Sequence, residues 1–412
     1  VTRAELGSSR AFWLFWTASA VSLTGDAITT IALPLTAITV LHASSLQVSL
    51  LTAASFTSWL VIGLPAGAIV HRWPLRRVQV AADLFRAVVL VSVPAAAWLD
   101  VLSLPQLVLV TLVSGFASVL FDVANSTFMV SVVPREDLTR RNSLTSATVA
   151  VTQTAGPSFG GLLVGVAGAA NALLVDVASF LASGALLARV PRTEARTDHG
   201  LPVRKAVIDG WRYVVRHPVI GPCAAMATTI NFVCGALIAL GPLYLVRTLH
   251  APVRIVGVVL AAEGVGTFLG AALTSRLAGR VGSARLLVRA TAFGGVCALL
   301  MPLASRGVGL LLFAVGYAGF AAGVVVLSIL ARTNRQEEAP PELLPRVMAT
   351  VRFVSWGVVP VGALLAGGLA DVFSVRFAVA AFCLLSLAVP AIGLLSAPIR
   401  SRRELASIPA DG

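Results

Sequence analysis

FWLFWTASAVSLTGDAITTIALPLTAI, residues 12–38, holds a single charged side chain, Asp26, in a run long enough to cross a hydrocarbon core of about 30 Å as a helix. Comparable runs recur along the chain, with cores near 46–70, 78–99, 105–130, 145–167, 170–189, 219–246, 254–278, 284–303, 308–330, 347–370 and 375–396. Composition agrees. Of 412 residues, 57% are hydrophobic and 12% charged, with mean hydropathy +0.91, against about 25% charged in a soluble domain. A lipid-embedded chain must satisfy its backbone internally, so the runs read as helices. The predicted fold is all-α, a polytopic membrane protein of twelve transmembrane helices.

The formal charge of +13 follows topology and does not mark a nucleic-acid partner. Most of the 31 Lys and Arg lie in alternate connections: the N-terminus, 71–77, 134–141, 189–216, 276–289, 332–346 and the tail. The opposite loops carry Arg247, Arg254, Arg306 and Arg376, so the positive-inside rule places both termini in the cytoplasm. The first apolar run is too long for a signal sequence and is expected to be retained. Cys223, Cys234, Cys297 and Cys383 fall singly inside spans, with no metal or redox spacing, and read as small buried apolar residues.

The polar stretch PRTEARTDHGLPVRK, 191–205, separates six spans from six. The predicted domains are an N-terminal half, 1–190, a linker with an interfacial helix, 191–217, and a C-terminal half, 218–412. Trp211, Arg212, Tyr213 and Arg216 suit a helix at headgroup depth, although a solvated linker helix reads the same way. An internal repeat supports the division. LHAS at 41–44 returns as LHAP at 249–252, and Gly160 pairs with Gly362 in a second echo. Two pseudo-symmetric six-helix bundles explain this, and parallel repeats normally place the substrate site at mid-membrane between the halves.

Several stretches resemble the major facilitator superfamily, and within it the bacterial drug:proton antiporter group that includes macrolide and multidrug efflux proteins and the enterobactin exporter. They are SLTGD at 22–26, GAIVHRWPLRR at 67–77, ADLFRA at 82–87, FDVANS at 121–126, VPREDLTRRNSL at 133–144, GPSFGG at 156–161, VDVASFL at 175–181 and PRVMATVRFVSWG at 345–357. The resemblance implies a cytoplasmic gate at 67–77, where Gly67, Arg72, Arg76 and Arg77 match the family loop. The expected Asp is His71 and the expected Gly is Pro74, so the latch is weaker, protonation-sensitive, or carried by Asp83 with Arg86. The alternative is that these arginines only obey the charge rule. Gly156, Pro157, Gly160 and Gly161 match an exporter-type helix motif, which favours efflux over uptake.

A carboxylate in the middle of a span costs about 2.5–3.5 kcal/mol on insertion scales and is functional by default. Ser19, Ser22, Asp26, Thr29 and Thr30 fall at helical spacing on the first span, and Ser114, Ser118, Asp122, Asn125 and Ser126 on the fourth. Asp26, Asp122 and Glu263 are the candidates for proton coupling, Asp26 foremost. A purely structural, hydrogen-bonded Asp26 is its alternative. Asp122 lies at a depth similar to Arg352, and an Asp122–Arg352 ion pair across the two halves would form an inner gate on the cytoplasmic side; a partner in its own half, Arg86, is the alternative. Asp176 reads as structural. Ser22, Thr29, Trp59, Ser118, Asn125, Phe232, Tyr317 and Trp356 are the candidate cavity residues; carboxylates with aromatic faces suit a lipophilic cation or neutral amphiphile. No phosphate-binding loop and no metal-ligand spacing is present, so neither cofactor nor enzyme activity is expected.

The expected protein is therefore a monomeric, proton-coupled exporter of hydrophobic or amphiphilic small molecules such as antibiotics, in the bacterial cytoplasmic (inner) membrane. Its rivals are a dedicated exporter of one metabolite or siderophore, and a membrane sensor that kept the fold without transport.

Overall fold

The computed structural model describes residues 3–63, 65–70, 73–132, 138–190, 203–340 and 343–405. Among these the regular structure is helical: α1 (Arg3–Thr39), α2 (Ser45–Ile62), α3 (Ala66–Val70), α4 (Leu75–Trp98), α5 (Leu104–Val132), α6 (Leu138–Ala167), α7 (Ala169–Ala188), α8 (Val203–Arg216), α9 (Ile220–Leu243), α10 (Val253–Leu260), α11 (Ala262–Val281), α12 (Ser283–Ala298), α13 (Leu310–Glu338), α14 (Leu344–Gly357), α15 (Val359–Val372), α16 (Val375–Leu385), α17 (Ala388–Leu395) and α18 (Ala397–Ser401). Ten rods among the described residues are long and apolar enough to cross a membrane, three of them broken once, at α10–α11, α14–α15 and α16–α17. The other two expected spans correspond to α6, apolar over Ala155–Ala167, and the 16-residue α12. The all-helical architecture is consistent with the twelve-span expectation, with ten spans among the described residues long and apolar enough by themselves.

The helices form two compact units, Val1–His199 with Pro252–Ala261, and Gly200–Ala251 with Ala262–Gly412. In the first, α7 packs on α1 and α4, α5 on α2 and α4, and α6 on α1 and α10. A buried cluster in it joins Phe12, Phe15, Phe121 and Phe128 to Leu75 and Leu187. In the second, α13 packs on α11 and α12, and α9 packs on α15 and α17. Helix α8 is docked on α14: Val214 is buried with Ile220, Val347 and Val351, and Gly210 lies against the Arg346 main chain. Trp211 on the same helix is half exposed.

The LHAS and LHAP echo is a repeat of local structure. After α1 the Leu41 N–H donates to Thr36 O at 3.4 Å and Ala43 N–H to Ala37 O at 3.0 Å; after α9, Leu249 donates to Tyr244 O at 3.0 Å and Ala251 to Leu245 O at 2.9 Å. The turns need a left-handed residue, supplied by His42 at φ 50° and His250 at φ 54°. Each turn leads into a helix, the first capped by Ser44 in a capping box with Gln47 and the second beginning after Pro252. The glycine echo is equally physical. A Cβ on Gly160 would press on Ile28 of α1, and one on Gly362 on Phe232 of α9, so the same close crossing occurs in both units.

Candidate functional site

The first unit is organised around a buried charge. Arg86 sits in the middle of α4 and is 1% exposed, with Asp83 one turn earlier and fully buried. Both belong to the stripe of buried α4 positions that includes Gln79, Ala82, Leu90 and Val93, spaced as one helical face. A guanidinium there must be neutralised and its N–H groups satisfied. Asp83 accepts a short hydrogen bond from Nη2, and Nη2 also reaches Ser22 Oγ at 3.4 Å. Nη1 donates to Ser118 Oγ at 3.2 Å and faces both Asp26 oxygens at 3.4 Å. The rings of Phe121 and Phe180 lie 4.7 and 4.1 Å from the guanidinium carbon and cover it by cation–π contact.

The two carboxylates are held differently. Charge-assisted N–H···O bonds run about 2.7–2.9 Å, so the 3.4 Å arms to Asp26 are slack. The Asp26 side chain is also 41% exposed, where Asp83 is at 0% and Arg86 at 2%. Asp83 is the resident counterion; Asp26 is the accessible one.

Around α1 the remaining faces are tightly set. Asp176 of α7, fully buried, accepts from Thr29 Oγ1 at 2.5 Å and from Ser179 Oγ at 2.9 Å. Gly25 leaves the room for this, since a Cβ there would overlap the Asp176 carboxylate and lie 2.8 Å from Ser179 Cβ. Ser19 Oγ donates to Asn125 Oδ1 at 3.1 Å. The motif GPSFGG faces two ways. Gly156 and Gly160 lie against Ala27 and Ile28 of α1, while a Cβ on Gly161 would stand 2.7 Å from the Gly257 main chain of α10. Pro157 lies inside α6, its carbonyl also against Gly257.

The structure thus gathers Asp26, Ser22, Ser118, Asp83 and Arg86 at one point, joins Thr29 to Asp176, and puts Asn125 on Ser19. Asp122, one turn beyond Ser118, is exposed. In the second unit Glu263 accepts from the buried Tyr317 hydroxyl at 2.8 Å, Phe232 packs on Phe382 with ring centroids 5.4 Å apart, and Arg352 lies 5.2 Å from the Trp356 ring. Trp59 is half-buried on α2. Of the gate residues, Gly67 is in α3 and Arg77 is exposed. Arg76 donates to Ala188 O at 3.1 Å and Val190 O at 2.7 Å, closing the C-terminal end of α7. His71 and Arg72 lie outside the described residues. Phe121 and Phe180 escaped sequence reasoning as seats for Arg86, although both stand inside stretches that carry the family resemblance.

A polytopic helical protein with a buried arginine shared by two carboxylates in mid-span, one of them accessible, has the build of a secondary transporter. The comparisons place it more closely: the family model described as transmembrane secretion effector matches residues 6–411, and the chain belongs to that family of major facilitator transporters. Its curated relatives include the multidrug efflux pump Tap of Mycolicibacterium fortuitum, 28% identical over 92% of this chain and 93% of that protein. Another, the uncharacterised MFS-type transporter YfiS of Bacillus subtilis, is 25% identical over 93% of each. The fold matches the nucleoside transporter NupG with a TM-score of 0.81 at 10% identity, over 94% of this chain and all of that one. A bacterial homologue of ferroportin matches with a TM-score of 0.76 at 16% identity, over 93% and 98%. The chain is therefore a multi-pass bacterial membrane transporter, and no enzyme activity is implied by its family.

Proposed function

We propose that the protein exports hydrophobic or amphiphilic small molecules, cationic or neutral, in exchange for protons, with Asp26 as the exchanging carboxylate. The observation that carries this is the asymmetry of the Arg86 cluster: Asp83 is sealed against the guanidinium, while Asp26 is 41% exposed at slack 3.4 Å contacts. With Asp26 ionised, the set Asp26, Asp83 and Arg86 has one more negative charge than positive. In a low-dielectric setting such a set favours one added positive charge, either a proton on Asp26 or a cationic substrate beside it, and disfavours both together. Mutual exclusion of two cations at one carboxylate is the physical basis of exchange. The free energy would come from inward proton movement, about 2.3 kcal/mol per charge per 100 mV plus the pH term. The similarity to an efflux pump supports the outward direction for substrate.

Glu263, bonded to Tyr317, and Asp122 are secondary proton sites in this scheme, and the basic loop after α3 retains the gate role. The test is proton release from inside-out vesicles on addition of a panel of lipophilic drugs, comparing the wild type with Asp26→Asn. A drug-dependent signal absent from the variant supports the proposal. Normal coupled efflux by Asp26→Asn would sink it, and silence with every drug would favour a dedicated exporter of one metabolite.

A further inference from the structure

Helix α8 is fixed along one face only. Val214 is buried with Ile220, Val347 and Val351, a Cβ on Gly210 would meet the Arg346 carbonyl at 2.7 Å and the Thr350 side chain, and the Tyr213 hydroxyl donates to Glu338 O at 3.1 Å. These contacts hold α8 against the end of α13 and the start of α14, on the side that the charge bias assigns to the cytoplasm. Only residues 217–219 separate α8 from α9, which runs into the bilayer from Ile220. Arg216 and Ile220 are therefore at most about 14 Å apart, and the last turn of α8 is held at headgroup depth.

The surface turned away from α14 is two-sided. At about 100° per residue, Trp211 and Val215 fall one turn apart on one flank, and Arg212 and Arg216 on the flank beside it. Trp211 is 50% exposed, Val215 58%, and both arginines are exposed. Among the described residues neither arginine has a carboxylate partner, since the Glu338 carboxylate faces His217 at 3.6 Å and Arg402 at 3.9 Å. Water leaves the Trp211 and Val215 ridge uncovered, and hydrocarbon would strand the two guanidinium groups. The headgroup boundary satisfies both, and an indole favours the same depth.

We infer that α8 binds an anionic phospholipid of the cytoplasmic leaflet, its phosphate held by Arg212 and Arg216 and its upper acyl chain lying along Trp211 and Val215. Charge selects the occupant: two unpaired guanidinium groups one turn apart suit a headgroup of net negative charge, whereas a zwitterionic headgroup brings its own cation. The test uses the full-length protein, delipidated in detergent, and native mass spectrometry with phosphatidylglycerol and phosphatidylcholine of the same acyl chains as probes. The first phosphatidylglycerol should bind at least about tenfold more tightly than phosphatidylcholine. Arg212→Gln and Arg216→Gln should each weaken it about fivefold and the double variant about 25-fold, with phosphatidylcholine binding and Tm unchanged. Trp211→Ala should weaken both lipids alike. Arg276 and Arg280 on α11, exposed and also one turn apart, are the charge-matched control, and Arg276→Gln with Arg280→Gln should change the affinity less than about twofold. Glycerol 3-phosphate at the same concentration should not displace the lipid. Equal affinity for the two lipids, displacement by glycerol 3-phosphate, or equal loss in the two double variants would overturn the assignment and leave α8 a solvated linker helix.

Discussion

Replacing Arg86 by Met removes the guanidinium and keeps an apolar chain between Phe121 and Phe180, so the packing loss is small and the charge effect is isolated. Asp83, fully buried, then has its short hydrogen bond and its counterion removed together. Breaking a buried pair by taking away one partner costs about 3–5 kcal/mol. The Asp26 arm adds at most about 1 kcal/mol, because that side chain is 41% exposed and its contacts are 3.4 Å long. A total near 4 kcal/mol corresponds to a fall in Tm of roughly 8–16 °C at 2–4 °C per kcal/mol for a unit of this size. Adding Asp83→Asn to the Arg86→Met protein should restore most of it, since no buried charge is then stranded. Asp26→Asn alone should lower Tm by only a few degrees, about 2–4 °C. Thermal unfolding of the purified proteins, followed by size-exclusion fluorescence, gives the ranking. The reasoning is refuted if Arg86→Met melts like the wild type, if Asp83→Asn gives no rescue, or if Asp26→Asn costs as much as Arg86→Met.

Gly161→Val should separate α6 from α10, since even a Cβ at Gly161 stands 2.7 Å from the Gly257 backbone; we expect a cost of about 1–3 kcal/mol and loss of drug efflux in protein that still reaches the membrane. Arg76→Ala removes the bonds to Ala188 and Val190 at the end of α7 and should lower stability by about 1 kcal/mol, measured as Tm. His217, in the connection between α8 and α9, accepts from the Ile220 N–H at 3.1 Å through Nδ1 and faces Glu338 at 3.6 Å. Burial holds its pKa below the ordinary value of 6.5, so at intermediate pH the unfolded chain binds more protons than the folded one. Its contribution is therefore fully present above pH 6.5 and is lost as pH falls from there through the depressed folded value. His217→Asn should flatten the rise in Tm between pH 5 and 7.

Much of this arrangement is legible in the residues. The echo of LHAS in LHAP predicted a repeat, and the same hydrogen bonds and left-handed histidines recur there. The stripe Ser22, Asp26, Thr29 on the first span and Ser118 on the fourth marked polar faces, and three of these four side chains now surround or adjoin Arg86. What periodicity could not supply is which helix meets which face. Arg86 is open as a gate residue or as a partner for Asp122, and only the packing of α1 and α4 on the same helix, α7, brings it to Asp26. Asp176 reads as structural because it lies nearer the outside on a helix that is usually peripheral; its seat beside Gly25 on α1 is not visible from its own helix. The placement of α10 with the first unit was also hidden, since it depends on Gly161 and Gly257 meeting across a long sequence separation. The break between α10 and α11 has neither Gly nor Pro at its centre, while that between α14 and α15 is marked by Gly357 before it and Pro360 after it; in both places the apolar run continues and reads as a single span.

The central claim is that substrate and proton compete at Asp26. It is tested most directly by adding a transported drug to the purified protein in weakly buffered detergent solution while a pH indicator and the bound drug are read together. The account predicts release of about one proton per cationic drug bound in the wild type, and in Asp26→Asn, which stands for the protonated carboxylate, weakened binding of the same drug with no proton release. Proton release of equal size in the variant, or drug binding without proton release in the wild type, would contradict it.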